Sequence, residues 1–179
     1  MKKNFNLSAF NKLNKVQLTA QTSLLGDVLK VNFNCLDYKE KWNVSSNFSK
    51  QSSYKNWKLW DYDVFEIFIQ FRNNKSDFTA PYIEMQVSPN NQKLNLLIIK
   101  PREIYQTLLS DQFKANIIQD PRSISVEIHL SSLDLNNDEY IYGAFFSCLG
   151  PNENRSYFSN IDLDGKLDFH RPKNFVRIK

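Results

Sequence analysis

The chain has 179 residues and carries 23 Lys and Arg against 19 Asp and Glu, a net charge of +4 at pH 7. Its 41% hydrophobic and 23% charged residues are the balance of a globular chain, not a disordered one. Two His cannot supply a three-His metal centre, two Cys cannot build a zinc ribbon or a disulfide scaffold, and no run of 18 apolar residues is present to span a membrane. With 4 Gly, the chain shows no phosphate-binding loop, dinucleotide fingerprint or nucleophile elbow. The length fits one domain, residues 1–179, able to bury about 70% of its unfolded surface.

Taken in order, the sequence predicts strands. The start, Met1-Lys2-Lys3-Asn4, has the lysines of a signal peptide but not its apolar core, so a cytoplasmic location is expected. Residues 16–25 and the alternating Val31, Phe33 and Cys35 read as two strands, joined at the hairpin signal Gly26-Asp27. Residues 45–54, rich in Ser, Asn and Lys, read as a loop. Phe65, Ile67, Ile69 and Phe71 alternate with Val64, Glu66, Phe68 and Gln70, a strand covered on both faces. Ile83, Met85 and Val87 alternate with Tyr82, Glu84 and Gln86 until the turn at Pro89-Asn90-Asn91. Residues 94–99 form an apolar strand stopped by Pro101. In residues 101–110, Ile104, Leu108 and Leu109 share a helical face, predicting a short helix. Ile124, Val126, Ile128 and Leu130 mark another strand, residues 140–149 a buried one closed by Gly150-Pro151, and Phe175, Val176 and Ile178 a last short one. Cys35 and Cys148 lie in apolar runs and read as buried free thiols. Many short strands with at most one or two short helices predict an all-β protein, an antiparallel β-sandwich of jelly-roll type.

Three stretches carry chemistry. All three tryptophans fall between positions 42 and 60, and Trp60 directly precedes a strand, where a flat ring can stack on a sugar or cap the core edge. Glu66, Glu84 and Gln86 place polar groups inside apolar strands, which calls for ion pairs with Arg72, Arg102 or Arg171, for solvent exposure, or for a ligand. The segment Asp168-Phe169-His170-Arg171-Pro172 combines an aromatic ring with forked donors, suited to a polyhydroxylated or anionic ligand; alternatively Asp168 holds Arg171 while Phe169 and Phe175 pin the loop. Asn160-Ile161-Asp162-Leu163-Asp164-Gly165 begins like a calcium loop but has Arg171 where the closing Glu is required, leaving at most a loose calcium site near Asp162 and Asp164. The basic end, Arg171, Lys173, Arg177 and Lys179, is the feature a nucleic acid or acidic protein would use, although a net charge of +4 does not call for one.

The same three stretches, Leu59-Trp60-Asp61-Tyr62-Asp63-Val64-Phe65-Glu66, Tyr82-Ile83-Glu84-Met85-Gln86-Val87-Ser88-Pro89 and Asp168-Phe169-His170-Arg171-Pro172 with Phe175, resemble family 9 carbohydrate-binding modules and their DOMON-like relatives, including a branch of small stand-alone proteins. The resemblance covers residues 57–179. It implies an antiparallel β-sandwich, a sugar ring held between Trp60 and Phe169, and hydrogen bonds from sugar hydroxyls to Glu66. Where the sugar-binding relatives carry an Arg on the next strand, this sequence has Glu84. Some relatives hold haem through Met and His, but Met85 alternates onto the apolar face, so a haem shared with His170 is not expected. The expectation is therefore a non-catalytic domain without cofactor that binds a mono- or oligosaccharide through Trp60, Glu66, Glu84, Gln86, Phe169, His170 and Arg171. Two other classes remain open: a protein- or nucleic-acid-interaction domain that keeps only the fold, and a glycosidase using Glu66 and Glu84 as a carboxylate pair.

Overall fold

The computed structural model describes residues 1–10, 16–35, 37–48, 56–108, 113–119, 122–133 and 140–179. Among these residues twelve strands follow one another: β1 (Lys2–Ala9), β2 (Leu18–Leu25), β3 (Val28–Asn34), β4 (Val64–Arg72), β5 (Tyr82–Val87), β6 (Lys93–Lys100), β7 (Ile104–Leu108), β8 (Phe113–Gln119), β9 (Arg122–His129), β10 (Tyr140–Leu149), β11 (Ser156–Ser159) and β12 (Val176–Arg177). All pair antiparallel, in the order β7-β6-β5-β4-β10-β11-β1-β2-β3-β9-β8, with β12 beside one end of β10. Only short 3-10 turns accompany them among the described residues.

The hydrogen-bonded order is continuous, but it closes around a core. β1 pairs with β2 over residues 2–7, and only its last two residues, Ser8 and Ala9, pair with β11. At that crossing the sheet folds into two layers, β7-β6-β5-β4-β10-β11 and β1-β2-β3-β9-β8. Between them lie Leu29, Val31, Phe33, Val126 and Ile128 from one layer and Phe65, Ile67, Ile69, Ile83, Met85 and Phe145 from the other, each at most 1% exposed. Period-two alternation is the cause: one parity of each strand fills this core.

The opposite parity of β4, β5, β6 and β10 would face water in a simple sandwich. Here Val64, Phe68, Tyr82, Leu94, Leu96, Ile98, Ala144 and Phe146 form a second apolar cluster, covered by the segments 56–62 and 161–175. Every residue of β4 and β5 is therefore buried. This second face carries the cavity described below.

The hairpin is found at Gly26, whose φ of +56° suits a residue without a side chain, with Leu25 opposite Val28. The short helix expected within 101–110 is not formed over its described part, 101–108. Residues 104–108 make β7, pairing Tyr105 with Ile98 and Thr107 with Leu96 after a bulge near Lys100. Cys35 and Cys148 are buried free thiols, and burial pushes the Cys35 thiol up to about 12, the nearby Arg122 opposing only in part. Residues 45–48 form no helix or strand and bend at 46–48, while 49–54 of the expected loop lie outside the described residues.

Candidate functional site

The floor of the site follows from strand register. Glu66 on β4 faces Gln86 on β5 and Phe146 on β10, and in the next row Phe68 faces Glu84 and Ala144. Glu66 and Glu84 are thus diagonal neighbours on one sheet face, about 7–8 Å apart in backbone terms. Leu94 and Leu96 on β6 continue the two rows. Above this floor opens a cavity of about 480 Å³, within the range of small-molecule sites. Its rim is aromatic: Trp57, Trp60, Tyr105 and Phe169 all line it, together with Arg102 and His170.

Local structure fixes the rim. Lys58 adopts a left-handed conformation (φ +63°) and starts the 3-10 turn Leu59–Asp61. Trp57 stacks on Tyr105 at 5.2 Å and 18°, and meets Trp60 edge-on at 5.0 Å and 79°. Phe169 stacks on Phe146 at 4.2 Å and 12°, so one of its faces rests on the floor. Arg155, 6% exposed, holds the Trp60 turn from below. Its guanidinium donates to the carbonyls of Trp60 at 2.5 Å, of Asp61 and Gly150 at 3.1 Å each, and of Tyr62. Asp63, fully buried, does the complementary work. Its carboxylate accepts from the Gly150 N–H at 2.6 Å, the Asn43 N–H at 3.0 Å and the Tyr38 hydroxyl at 3.2 Å.

Comparison of the sequence with protein-family models and with curated proteins gives no match. Comparison of the structure does. A family 9 carbohydrate-binding module from Caldicellulosiruptor kristjanssonii in complex with cellotriose superposes with a TM-score of 0.56, covering 93% of this chain and 75% of its own at 16% identity. A family 9 module from the same organism in complex with glucose gives 0.57, 93%, 77% and 14%. The chain shares its fold with family 9 carbohydrate-binding modules.

Within this carbohydrate-binding-module fold, the cavity brings together six of the seven residues expected from sequence: Trp60, Glu66, Glu84, Gln86, Phe169 and His170. Arg171 does not line it. Arg171 pairs with Asp164 at 2.5 Å, and Asp168 holds Arg102 at 2.7 Å, so the expected Asp168–Arg171 pair is replaced by two others. The expected ion partners of the floor carboxylates are also elsewhere. Arg72 donates to Gln70 at 2.8 Å, to the Pro172 carbonyl at 2.6 Å and to the Lys75 carbonyl at 3.2 Å, with its guanidinium 3.8 Å from the Tyr142 ring centre. Trp42 packs on the inter-sheet core, stacked on Tyr38 at 4.9 Å, so two tryptophans and not three belong to the site. Met85 faces that same core while His170 lies across the sheet, which separates the Met–His pair considered for haem. A calcium ion at Asp164 would compete with Arg171 and with Lys173 at 4.0 Å. Among the described residues no three His, Cys, Asp or Glu cluster as a metal site.

Electrostatics make the floor unusual. Burial, then repulsion from Glu84, hold the Glu66 carboxyl well above the usual carboxylate range, with Arg155 opposing. Burial raises Glu84 to about 7, against the hydrogen bond donated by the Gln86 amide at 2.6 Å. The second oxygen of Glu84 and the side-chain oxygen of Gln86 have no hydrogen-bond partner among the described residues. Both residues are at most 4% exposed. Burial lowers His170 to about 4, with Arg102 adding and Asp168 opposing, so the imidazole is neutral at pH 7. The Tyr82 phenol is raised by burial and by Glu84 and Asp168, and stays protonated. It lies 2.6 Å from His170 Nδ1, a hydrogen bond whose direction follows the imidazole tautomer, and Nε2 lies 3.8 Å from the second Glu84 oxygen.

Sequence reasoning missed Tyr105 and Arg155, and named Trp57 only among the clustered tryptophans and Arg102 only as an ion partner for the floor carboxylates. Tyr105 was hidden by the helical reading of its strand. Arg155 has no local signature, because its four acceptors lie at least five residues away along the chain.

Proposed function

We propose that this cavity binds a carbohydrate without transforming it. The observation that carries the proposal is the pairing of an aromatic rim, Trp60 and Phe169, with a floor of Glu66, Glu84 and Gln86 that retains unsatisfied acceptors. A sugar ring presents C–H faces to aromatic rings and hydroxyl donors at its edge, so it answers both halves of the site. Neutral carboxyls can also donate, which suits hydroxyls that act in both senses. The likeness of fold to modules complexed with cellotriose and glucose supports a sugar in general.

A glycosidase reading gains little from the geometry. The diagonal spacing of Glu66 and Glu84 is compatible with a carboxylate pair, but both groups rise from the same sheet face instead of flanking a bond from two sides. Burial also raises both, whereas catalysis needs one held ionised. The basic C-terminus is dispersed: Arg171 and Lys173 meet Asp164, and Arg177 lies over the Tyr140 ring at 4.7 Å.

Tryptophan emission under titration with mono- and oligosaccharides tests the proposal. Trp57 and Trp60 report directly, and Trp42 supplies a constant background. Trp60→Ala should weaken binding about tenfold, the value of one aromatic stack. Undiminished binding in a folded Trp60→Ala protein removes that ring from the site.

A further inference from the structure

The cavity floor is acidic where the rim is not. Arg102 is compensated by Asp168 at 2.7 Å, and Arg155 spends its donors on four backbone carbonyls and acts on Glu66. Glu84 has no cation of its own. Around it stand Glu66 from β4, the Gln86 amide on its own strand, and from the C-terminal loop a neutral His170 bonded to Tyr82. One of its oxygens is buried, lines the cavity side of the sheet and is unpartnered. A neutral hydroxyl would satisfy that oxygen with one ordinary hydrogen bond. An ammonium would also supply the opposite charge that an ionised Glu84 lacks here, through a charge-assisted bond. The rings of the rim, among them two tryptophans, tolerate a cation as well as a sugar face.

We propose that the ligand is a hexosamine with a free, protonated amine, its ammonium docked on the unpartnered oxygen of Glu84 and its ring against the aromatic rim. The assignment rests on the carbohydrate-binding reading and narrows it to one substrate class. N-acetylation removes the charge and adds bulk, so the acetylated sugar binds no better than glucose. Binding of the cation favours ionised Glu84, so the complex forms with release of a proton below about pH 7.

Calorimetric titration of the full chain with glucosamine, glucose, N-acetylglucosamine and ethanolamine tests this. Glucosamine should bind about tenfold tighter than glucose at pH 7, the difference between a charge-assisted and a neutral hydrogen bond. That preference should shrink severalfold at pH 5.5, where Glu84 takes up its proton. In Glu84→Gln, shown to be folded by its denaturation curve, the glucosamine-to-glucose ratio should fall towards one. Equal binding of all three sugars overturns the proposal and leaves the carbohydrate-binding reading standing. Ethanolamine binding as tightly as glucosamine also overturns it, because the sugar then contributes nothing. If no sugar binds at all, both fall together.

Discussion

Glu84→Gln should make the ligand-free protein more stable at alkaline pH. The carboxyl of Glu84 is raised by burial from 4.5 to about 7, so the native state binds its proton more tightly than the unfolded chain does. For such a group the stabilising contribution is full below the unfolded value. It is lost as pH rises from about 4.5 through 7, because the native state must then accommodate the buried charge. The full loss amounts to about 3 kcal/mol, reached above pH 7. Glutamine keeps the shape and can still accept from the Gln86 amide, but carries no charge to desolvate. Urea denaturation of both proteins at pH 5 and pH 8.5 reads the effect. The variant should lie within about 1 kcal/mol of the parent at pH 5 and exceed it by about 2–3 kcal/mol at pH 8.5. His170, lowered to about 4, acts with the opposite sign: it contributes stability above its unfolded value of 6.5, lost as pH falls towards 4. Comparing the variant with the parent at one pH cancels that term. A variant no more stable than the parent at pH 8.5 would refute the claim that this floor holds a destabilising charge.

Arg155→Met should cost about 3–5 kcal/mol in the same assay, since four carbonyls lose a charged donor and three of them flank or belong to the Trp60 turn. It should also broaden and red-shift tryptophan emission by loosening Trp57 and Trp60. A loss below about 1 kcal/mol would mean that water replaces the guanidinium without penalty. Gly143→Ala should cost about 2–3 kcal/mol, because the added carbon would sit 2.9 Å from the Phe68 carbonyl and 2.6 Å from Ile178, and the backbone contact cannot rotate away. A thermal midpoint within 2 °C of the parent would show that β10 and β4 can part more easily than their pairing suggests.

Most strands that sequence reasoning found owe it to strong alternation: β3, β4, β5 and β9 each place three or more apolar residues at period two into the inter-sheet core, while β6 and β10 read as apolar runs. The strands it missed are weak in that respect. β11 is four residues long, and β1 carries Lys and Asn outward on a face that is largely exposed. β7 shows an aliasing problem, since Ile104 and Leu108 are four apart and satisfy a helical and an extended repeat equally. For the site, the polar residues inside β4 and β5 were legible as anomalies, and register alone brings Glu66, Glu84 and Gln86 onto one face. The ion pairs were not legible. Which of Asp164 and Asp168 meets Arg102 and which meets Arg171 is decided by the path of the loop over the sheet.

The segment from Trp60 to Glu66 does two jobs, and parity separates them. Asp63 turns inward to the Gly150 N–H, while Arg155 reaches the carbonyls of Trp60, Asp61 and Tyr62. The turn is thus tied twice to the single stretch 150–155, once through a buried carboxylate and once through a buried guanidinium. Glu66, three residues after Asp63, is already on the floor, in register with Gln86. A rim ring fixed relative to a floor carboxylate in this way loses little freedom when a ligand arrives. Arg155 braces the whole turn and also lies beside Glu66, which separates its effect from that of Trp60 itself. Trp60→Ala should weaken binding in a protein of nearly unchanged stability, whereas Arg155→Met should weaken both, and the larger part of its binding loss should appear as an unfavourable entropy.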